Sequence, residues 1–273
     1  MNASRIALAA VVAMALAAPV AAADRTAERP SQSWEEIRGA LYAGQTVHNG
    51  SGLISLDTPY RAHDAATVPV SITIDPRAGQ SVSKMTLLVD ENPMPVAAEF
   101  EFDPGMGRSI VLSTRVRVDM YSNVRVIAEL DDGSLHQFAR FVKASGGCSA
   151  PALKDAEAAM AQVGKMRLRV FEAAATLPQD GRKEAQVMVR HPNYTGFQVN
   201  QLTQLHIPAF FIDEMEVWQG QDRLFRVTGG ISLSEDPSIR FRYLSNGATD
   251  LKVRASDTDG NIFERAFPVD AGI

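Results

Sequence analysis

The chain is predicted to be all-β, with two immunoglobulin-like β-sandwiches in series and a short helix connecting them. Three observations carry this reading. Between Leu53 and Val142 a series of short segments alternates apolar and polar residues, the period of strands with one face buried. Turn signals at Asn92-Pro93, Pro104-Gly105 and Asp131-Asp132-Gly133 punctuate them at the spacing of a sandwich. The same texture resumes after one helical run, and nowhere do strands alternate with helices as a parallel α/β sheet requires.

Taken in order, residues 1–23 read as a secretory signal peptide. Arg5 supplies the positive start, Ile6 to Ala17 the apolar core and Ala21-Ala22-Ala23 the small residues before a cleavage site at Asp24. The segment is too short and Pro19 comes too soon for a membrane span, and no other stretch is long and apolar enough. The reading places a mature chain of about 250 residues in the periplasm, long enough for one large core or two ordinary ones.

Ser33 to Tyr42 reads as a helix with Ser33 as N-cap and Glu36 completing a capping box. Strands follow over Leu53–Asp57, Val68–Ile74, Met85–Val89, Val96–Phe102, Ser109–Val118, Asn123–Leu130 and Leu135–Val142. This first sandwich, residues 24–150, runs into Lys143-Ala144-Ser145-Gly146-Gly147-Cys148-Ser149-Ala150-Pro151, which holds the chain's one cysteine. Gly146 and Gly147 lift the Cβ restriction on the backbone and read as a hinge for the thiol. Pro151 opens a run of strong helix formers, so residues 151–164 read as the connecting helix, capped by Gly164. Cys148 then stands before a helix N-terminus, which would lower its pKa. The alternative is a small buried hydrophobe.

Residues 165–273 make the second sandwich, with strands over Met166–Phe171, Ala185–Arg190, Phe210–Trp218, Leu224–Thr228, Ser238–Tyr243, Asp250–Ala255 and Asn261–Val269. It contains no thiol. A single cysteine in an oxidising compartment must be reactive, protected by a partner, or joined to another molecule.

Composition narrows the function. Lys and Arg number 27 against 32 Asp and Glu, a net charge of −5 that excludes a general affinity for nucleic acid or anionic lipid. His48, His63, His136, His191 and His206 show no metal-ligand spacing and read as structural or surface groups, so no metal site is expected. Asp257-Thr258-Asp259-Gly260 reads as a hairpin turn, not a calcium loop, and Gly229-Gly230 lacks the context of a phosphate loop. Trp34 and Trp218 read as packing residues.

Certain stretches carry a resemblance. Ile54 to Val70 (ISLDTPYRAHDAATVPV), Asp90-Glu91-Asn92-Pro93-Met94-Pro95 and the terminal Gly146-Gly147-Cys148 are similar to SoxY. His191-Pro192-Asn193-Tyr194-Thr195-Gly196, Ile207-Pro208-Ala209-Phe210-Phe211-Ile212 and Gly229-Gly230-Ile231-Ser232 resemble landmarks of SoxZ. The whole resembles a fused SoxYZ-like sulfur carrier, of the kind associated with quinoprotein dehydrogenases. The resemblance implies a periplasmic carrier, not an enzyme, with a sulfur species bound covalently to Cys148 and no resident cofactor. Its partners would be periplasmic oxidoreductases, either of the Sox type used in thiosulfate oxidation or a quinoprotein and cytochrome system. In SoxY the cysteine arm ends the chain, whereas here Ser149-Ala150-Pro151 and further sequence follow, so the arm is tethered at both ends. Two rivals stand beside the carrier: a non-covalent adaptor of a dehydrogenase, and a redox sensor that forms a homodimer through Cys148.

Overall fold

A computed structural model describes residues 24–150, 156–171 and 181–269. The expected signal peptide and the start of the expected connecting helix, residues 151–155, lie outside the described residues. In chain order the elements are α1 (Gln32–Leu41), β1 (Val47–Asn49), β2 (Ile54–Asp57), β3 (Val68–Ile74), β4 (Val82–Val89), β5 (Val96–Phe102), β6 (Ile110–Val116), β7 (Ser122–Leu130) and β8 (Leu135–Val142). Then come α2 (Ala156–Met160), β9 (Met166–Phe171), β10 (Arg182–Val189), β11 (Ile212–Gln219), β12 (Asp222–Gly229), β13 (Ser238–Leu244), β14 (Asp250–Asp257) and β15 (Ile262–Pro268). No helix among the described residues is long and apolar enough to cross a membrane.

The strands form two layers. One has nine strands in the order β1-β8-β7-β4-β5-β12-β11-β14-β15, and the other six in the order β2-β3-β6-β13-β10-β9. Each half of the chain contributes a sandwich, and the two sandwiches join edge to edge in both layers. β12 pairs antiparallel with β5, from Phe225 opposite Phe102 to Gly229 opposite Ala98, and β13 pairs with β6 at Arg240–Ser113 and Phe241–Leu112. The join explains Gly230, and the close approach of β11 within the second half explains Gly229. A Cβ at Gly230 would stand 2.9 Å from the Val96 carbonyl oxygen, and one at Gly229 would stand 2.6 Å from that of Ile212, so only glycine admits this approach. One apolar cluster runs through both halves, from Val68 and Leu87 to Phe225, Phe241 and Val253.

Period-two burial is cleanest in β3, where Val68, Val70, Ile72 and Ile74 are buried and the residues between them exposed. β7 is buried on both faces because α1 lies across the outside of the larger sheet, packing Trp34 on Leu88, Ile127 and Leu135. The N-cap of α1 is Ser31, not Ser33: its Oγ accepts from the Trp34 N–H at 3.0 Å. Ser33 instead donates to the Glu91 carboxylate at 2.7 Å, and Ser31 Oγ donates to the other oxygen of that group at 2.9 Å. Glu91 thus sits at the positive end of the helix and fixes its start two residues earlier than the sequence pattern suggests. β1 has only three residues, too few to show a period.

Among the described residues the connecting helix is five residues long, followed by turns to Gly164. Gly164 has φ +79°, and a Cβ there would fall 2.1 Å from the Phe263 ring, so the glycine serves packing as well as the turn. The carboxylate of Asp257 accepts from the backbone N–H groups of Asp259 and Asn261, both at 3.0 Å, which makes that segment a self-capped hairpin turn. Trp218 is half-buried beneath Lys252.

Candidate functional site: the docked cysteine turn

β8 delivers the chain to the site. Beyond it, Lys143 donates its N–H to the Tyr60 carbonyl at 2.8 Å, and Gly146 and Gly147 donate to the carbonyls of Asp119 and Val118 at 2.8 and 3.1 Å. Gly146 adopts φ +77°, the left-handed region that glycine enters without strain. Gly147 is required for space: a Cβ would stand 2.3 Å from the Ala65 carbonyl oxygen and 2.7 Å from that of Val118.

Cys148 lies in a turn and is 1% exposed. Its N–H donates to Asp119 Oδ1 at 3.0 Å. The second half of the chain closes over it: Thr195 Oγ1 donates to the Cys148 carbonyl at 2.6 Å, and Gln198 Nε2 donates to the Ala150 carbonyl at 3.1 Å. Beneath the turn lies Arg117, also buried, whose Nη1 donates to the Gly147 carbonyl and Nη2 to that of Asn193. Arg117 Nε has no hydrogen-bond partner, and among the described residues no carboxylate comes within ion-pair distance of this guanidinium.

The loop that covers the turn is itself held from below. The Asn193 N–H donates to His191 Nδ1 at 3.1 Å, Asn193 Oδ1 accepts from the Ile212 N–H, and His191 Nε2 faces Asp257 at 3.6 Å. His191 is fully buried, and desolvation holds its pKa below the ordinary histidine value. His191, Asn193 and Thr195 therefore build the dock, and Arg117 joins it to the arm.

This geometry corrects two expectations. Cys148 is not exposed on its tethered arm but docked between the halves, as in the buried alternative. Its thiol pKa is not lowered but pushed up to about 12, because burial penalises the thiolate and Asp119 repels it, while Arg117 opposes both. Gly146 and Gly147, expected as a hinge, are here the residues that let the arm pack. His48 and His136 are register partners in β1 and β8, their rings tilted by 35° with centroids 5.4 Å apart. Among the described residues no cluster of His, Cys, Asp and Glu could hold a metal ion. Sequence reading missed Arg117 and Asp119. Neither gave a signal, because Val116-Arg117-Val118-Asp119 continues the apolar-polar alternation of a half-buried strand, in which both charges read as solvent-facing.

A pH dependence follows from the raised pKa. The docked turn binds the thiol proton more tightly than the released one, so this contribution to docking is complete below about pH 9 and is lost as the pH climbs toward 12. Alkylation of Cys148 in the folded protein is expected to be slower than in denaturant at neutral pH. Measured against a small free thiol, its rate should rise more steeply with pH between 9 and 11. A rate equal to that of the unfolded chain at pH 7 would show that the turn does not stay docked in solution.

Comparison with known proteins finds two families along the chain. Residues 38–148 match the family described as Sulfur oxidation protein SoxY, a match that ends on Cys148, and residues 172–268 match Sulphur oxidation protein SoxZ. Among solved structures, the sulfur carrier protein SoxY from Chlorobium limicola f thiosulfatophilum is similar at 22% identity, with 41% of this chain and 91% of that chain covered and a TM-score of 0.34. A superoxide reductase (neelaredoxin) from Ignicoccus hospitalis is similar at 13% identity over 33% of this chain and 78% of that one, TM-score 0.28. No curated protein matches the chain. With a SoxY segment followed by a SoxZ segment in one polypeptide, the chain belongs to the fused SoxYZ-like proteins of sulfur oxidation.

Proposed function

We propose that this protein is a periplasmic carrier, not an enzyme, that holds a sulfur-containing intermediate on Cys148 and presents it to partner oxidoreductases. The observation that carries the reading is that the SoxY match ends on the chain's single cysteine, which sits in a turn pinned by a handful of hydrogen bonds instead of in a sheet. Such contacts each contribute about 0.5–1.5 kcal/mol, so a partner that binds the released turn can shift it. Gly146 and Gly147 are the hinge about which it would move. Docked, the thiol is protonated and shielded. Released, it loses Asp119 and its burial, and its pKa returns toward the ordinary value.

Loading joins the thiol to an anionic sulfur compound. The Cys148 S–H bond breaks, an S–S bond forms, the proton goes to solvent, and two electrons pass to the oxidoreductase that performs the conjugation. A second partner restores the thiol by exchange: its own thiolate attacks the outer sulfur and bonds to it, the Cys148 S–S bond breaks, and the departing Cys148 thiolate takes a proton from solvent. When the loaded arm returns, Arg117 offers a buried positive charge with an unpartnered Nε–H beside the attachment point, suited to an anionic cargo.

The burial of Cys148 favours one rival, the adaptor of a quinoprotein or cytochrome dehydrogenase system in which the thiol takes no part. Burial also keeps docked Cys148 from bonding to a second copy, so a homodimer through it requires release. The readings separate by intact mass of protein purified without reductant and by Cys148→Ser in a complementation assay. A carrier gives added sulfur mass and complete loss of function with an unchanged melting temperature. Bare mass with full activity in Cys148→Ser identifies the adaptor, and a disulfide-linked double mass identifies the sensor.

A further inference from the structure

At the end of the molecule farthest along both strand orders from β1 and β2, the two layers part and leave a cleft between β9 and β15, the outermost strands of the second half. Its volume is about 640 Å³. Lys165, Arg167, Arg169, Arg190 and Arg265 line it, and among the described residues no carboxylate does. In a chain of net charge −5 this is a local reversal of sign.

The nearby acids do not cancel it. Arg190 is paired with Asp236. Glu184, on neighbouring β10, is taken by Arg240, and Glu264 stands opposite Arg254 in the register of β14 and β15. Lys165 Nζ finds only the Gln162 amide oxygen at 2.9 Å, and Arg265 Nη1 only the Met166 carbonyl at 3.3 Å. Among the described residues none of Lys165, Arg167, Arg169 and Arg265 has a carboxylate at ion-pair distance. Like charges gathered without counter-ions repel one another, and an anion relieves that repulsion.

The cleft is not polar throughout. Met166, Leu168 and Phe267 also line it, with Met166 buried and the other two packed against the core. A concave site of this volume, apolar in part with a few charged groups, is of the size that encloses a small organic molecule. We propose that the cleft between β9 and β15 binds an organic anion, an apolar body carrying a carboxylate or sulfonate, at a site separate from Cys148. Arg265 and Lys165 hold the anionic head, and Leu168 and Phe267 cover the apolar part.

The test is a fluorescence titration of the full chain with 1-anilinonaphthalene-8-sulfonate, beside its uncharged analogue N-phenyl-1-naphthylamine and inorganic thiosulfate as competitor. The expected result is one site for the sulfonate, at least tenfold weaker binding of the neutral analogue, and weak displacement by thiosulfate. Arg265→Gln and Lys165→Gln should each weaken the sulfonate several-fold, while Arg38→Gln, on α1 of the first half and outside the cleft, should not. Lys165 is exposed and makes a single side-chain hydrogen bond, so its variant decides if Arg265→Gln fails to fold. Equal affinity for the neutral analogue, unchanged affinity in both cleft variants, or thiosulfate displacing the sulfonate at equal concentration would overturn the proposal.

Discussion

Gly147→Ala is expected to free the cysteine turn without unfolding the protein. The new methyl meets two backbone carbonyl oxygens, at 2.3 and 2.7 Å, and neither belongs to a flexible side chain that could swing aside. Val118 is tied to Ala65 by its own 2.8 Å hydrogen bond, so the wall cannot retreat and the turn must. An overpacking cost of about 1–3 kcal/mol corresponds to a shift of about 5- to 150-fold toward the released turn. Alkylation of Cys148 at neutral pH should accelerate by a factor in that range. Gly146→Ala separates strain from space: its Cβ meets nothing nearer than Ser149 Oγ at 3.8 Å, so only the positive φ is penalised, by about 1–2 kcal/mol, and its acceleration should stay at about 5- to 30-fold. If Gly147→Ala labels no faster than wild type, the contacts around Gly147 do not shield the thiol.

Arg125→Ala is expected to cause the largest loss of stability. Both Arg125 and Asp90 have fully buried side chains, joined by Nε–Oδ1 at 3.1 Å and Nη2–Oδ2 at 2.7 Å. Arg125 Nη1 also reaches Glu28 and Gln137, and its guanidinium lies 4.0 Å from the centre of the Trp34 ring, tying the N-terminal segment and α1 to β7. Removing the cation strands the Asp90 carboxylate in the interior with only Asn123 Nδ2 as a side-chain partner, a change of about 3–5 kcal/mol. At about 2–4 °C per kcal/mol for a chain of this size, thermal melting should fall by about 6–20 °C. Replacing both residues with apolar ones should cost less than Arg125→Ala alone, because no charge is then left unpaired. A drop of less than about 2 °C for Arg125→Ala would mean that water reaches the pair.

Much of the sandwich architecture was legible because it rests on short-range pattern. β3, β5, β8 and β9 appear over the very residues where alternation marks them. β1 was not legible, since its three residues are ordered by a parallel partner, β8, far along the chain. The start of α1 shifted for the same kind of reason: Glu91, remote in sequence, chose between two serines. At the site, the sequence marked Cys148 and its glycines because a lone thiol is a compositional fact. It could not show the thiol's surroundings. Burial, the Asp119 contact and the Thr195 dock all depend on residues brought from other strands and from the other half, and these reversed the expected direction of the pKa.

The edge-to-edge join has a consequence for the half that carries no thiol. Without it, β5 and β6 would each end a sheet with a row of unpaired backbone groups, both on the same side of the molecule and both backed by apolar core. Such paired open edges invite any passing extended chain and are sites of self-association. β12 and β13 occupy both at once, so the second half acts as a permanent guard against aggregation. Because it is encoded in the same polypeptide, the guard is supplied one to one with every cysteine it protects.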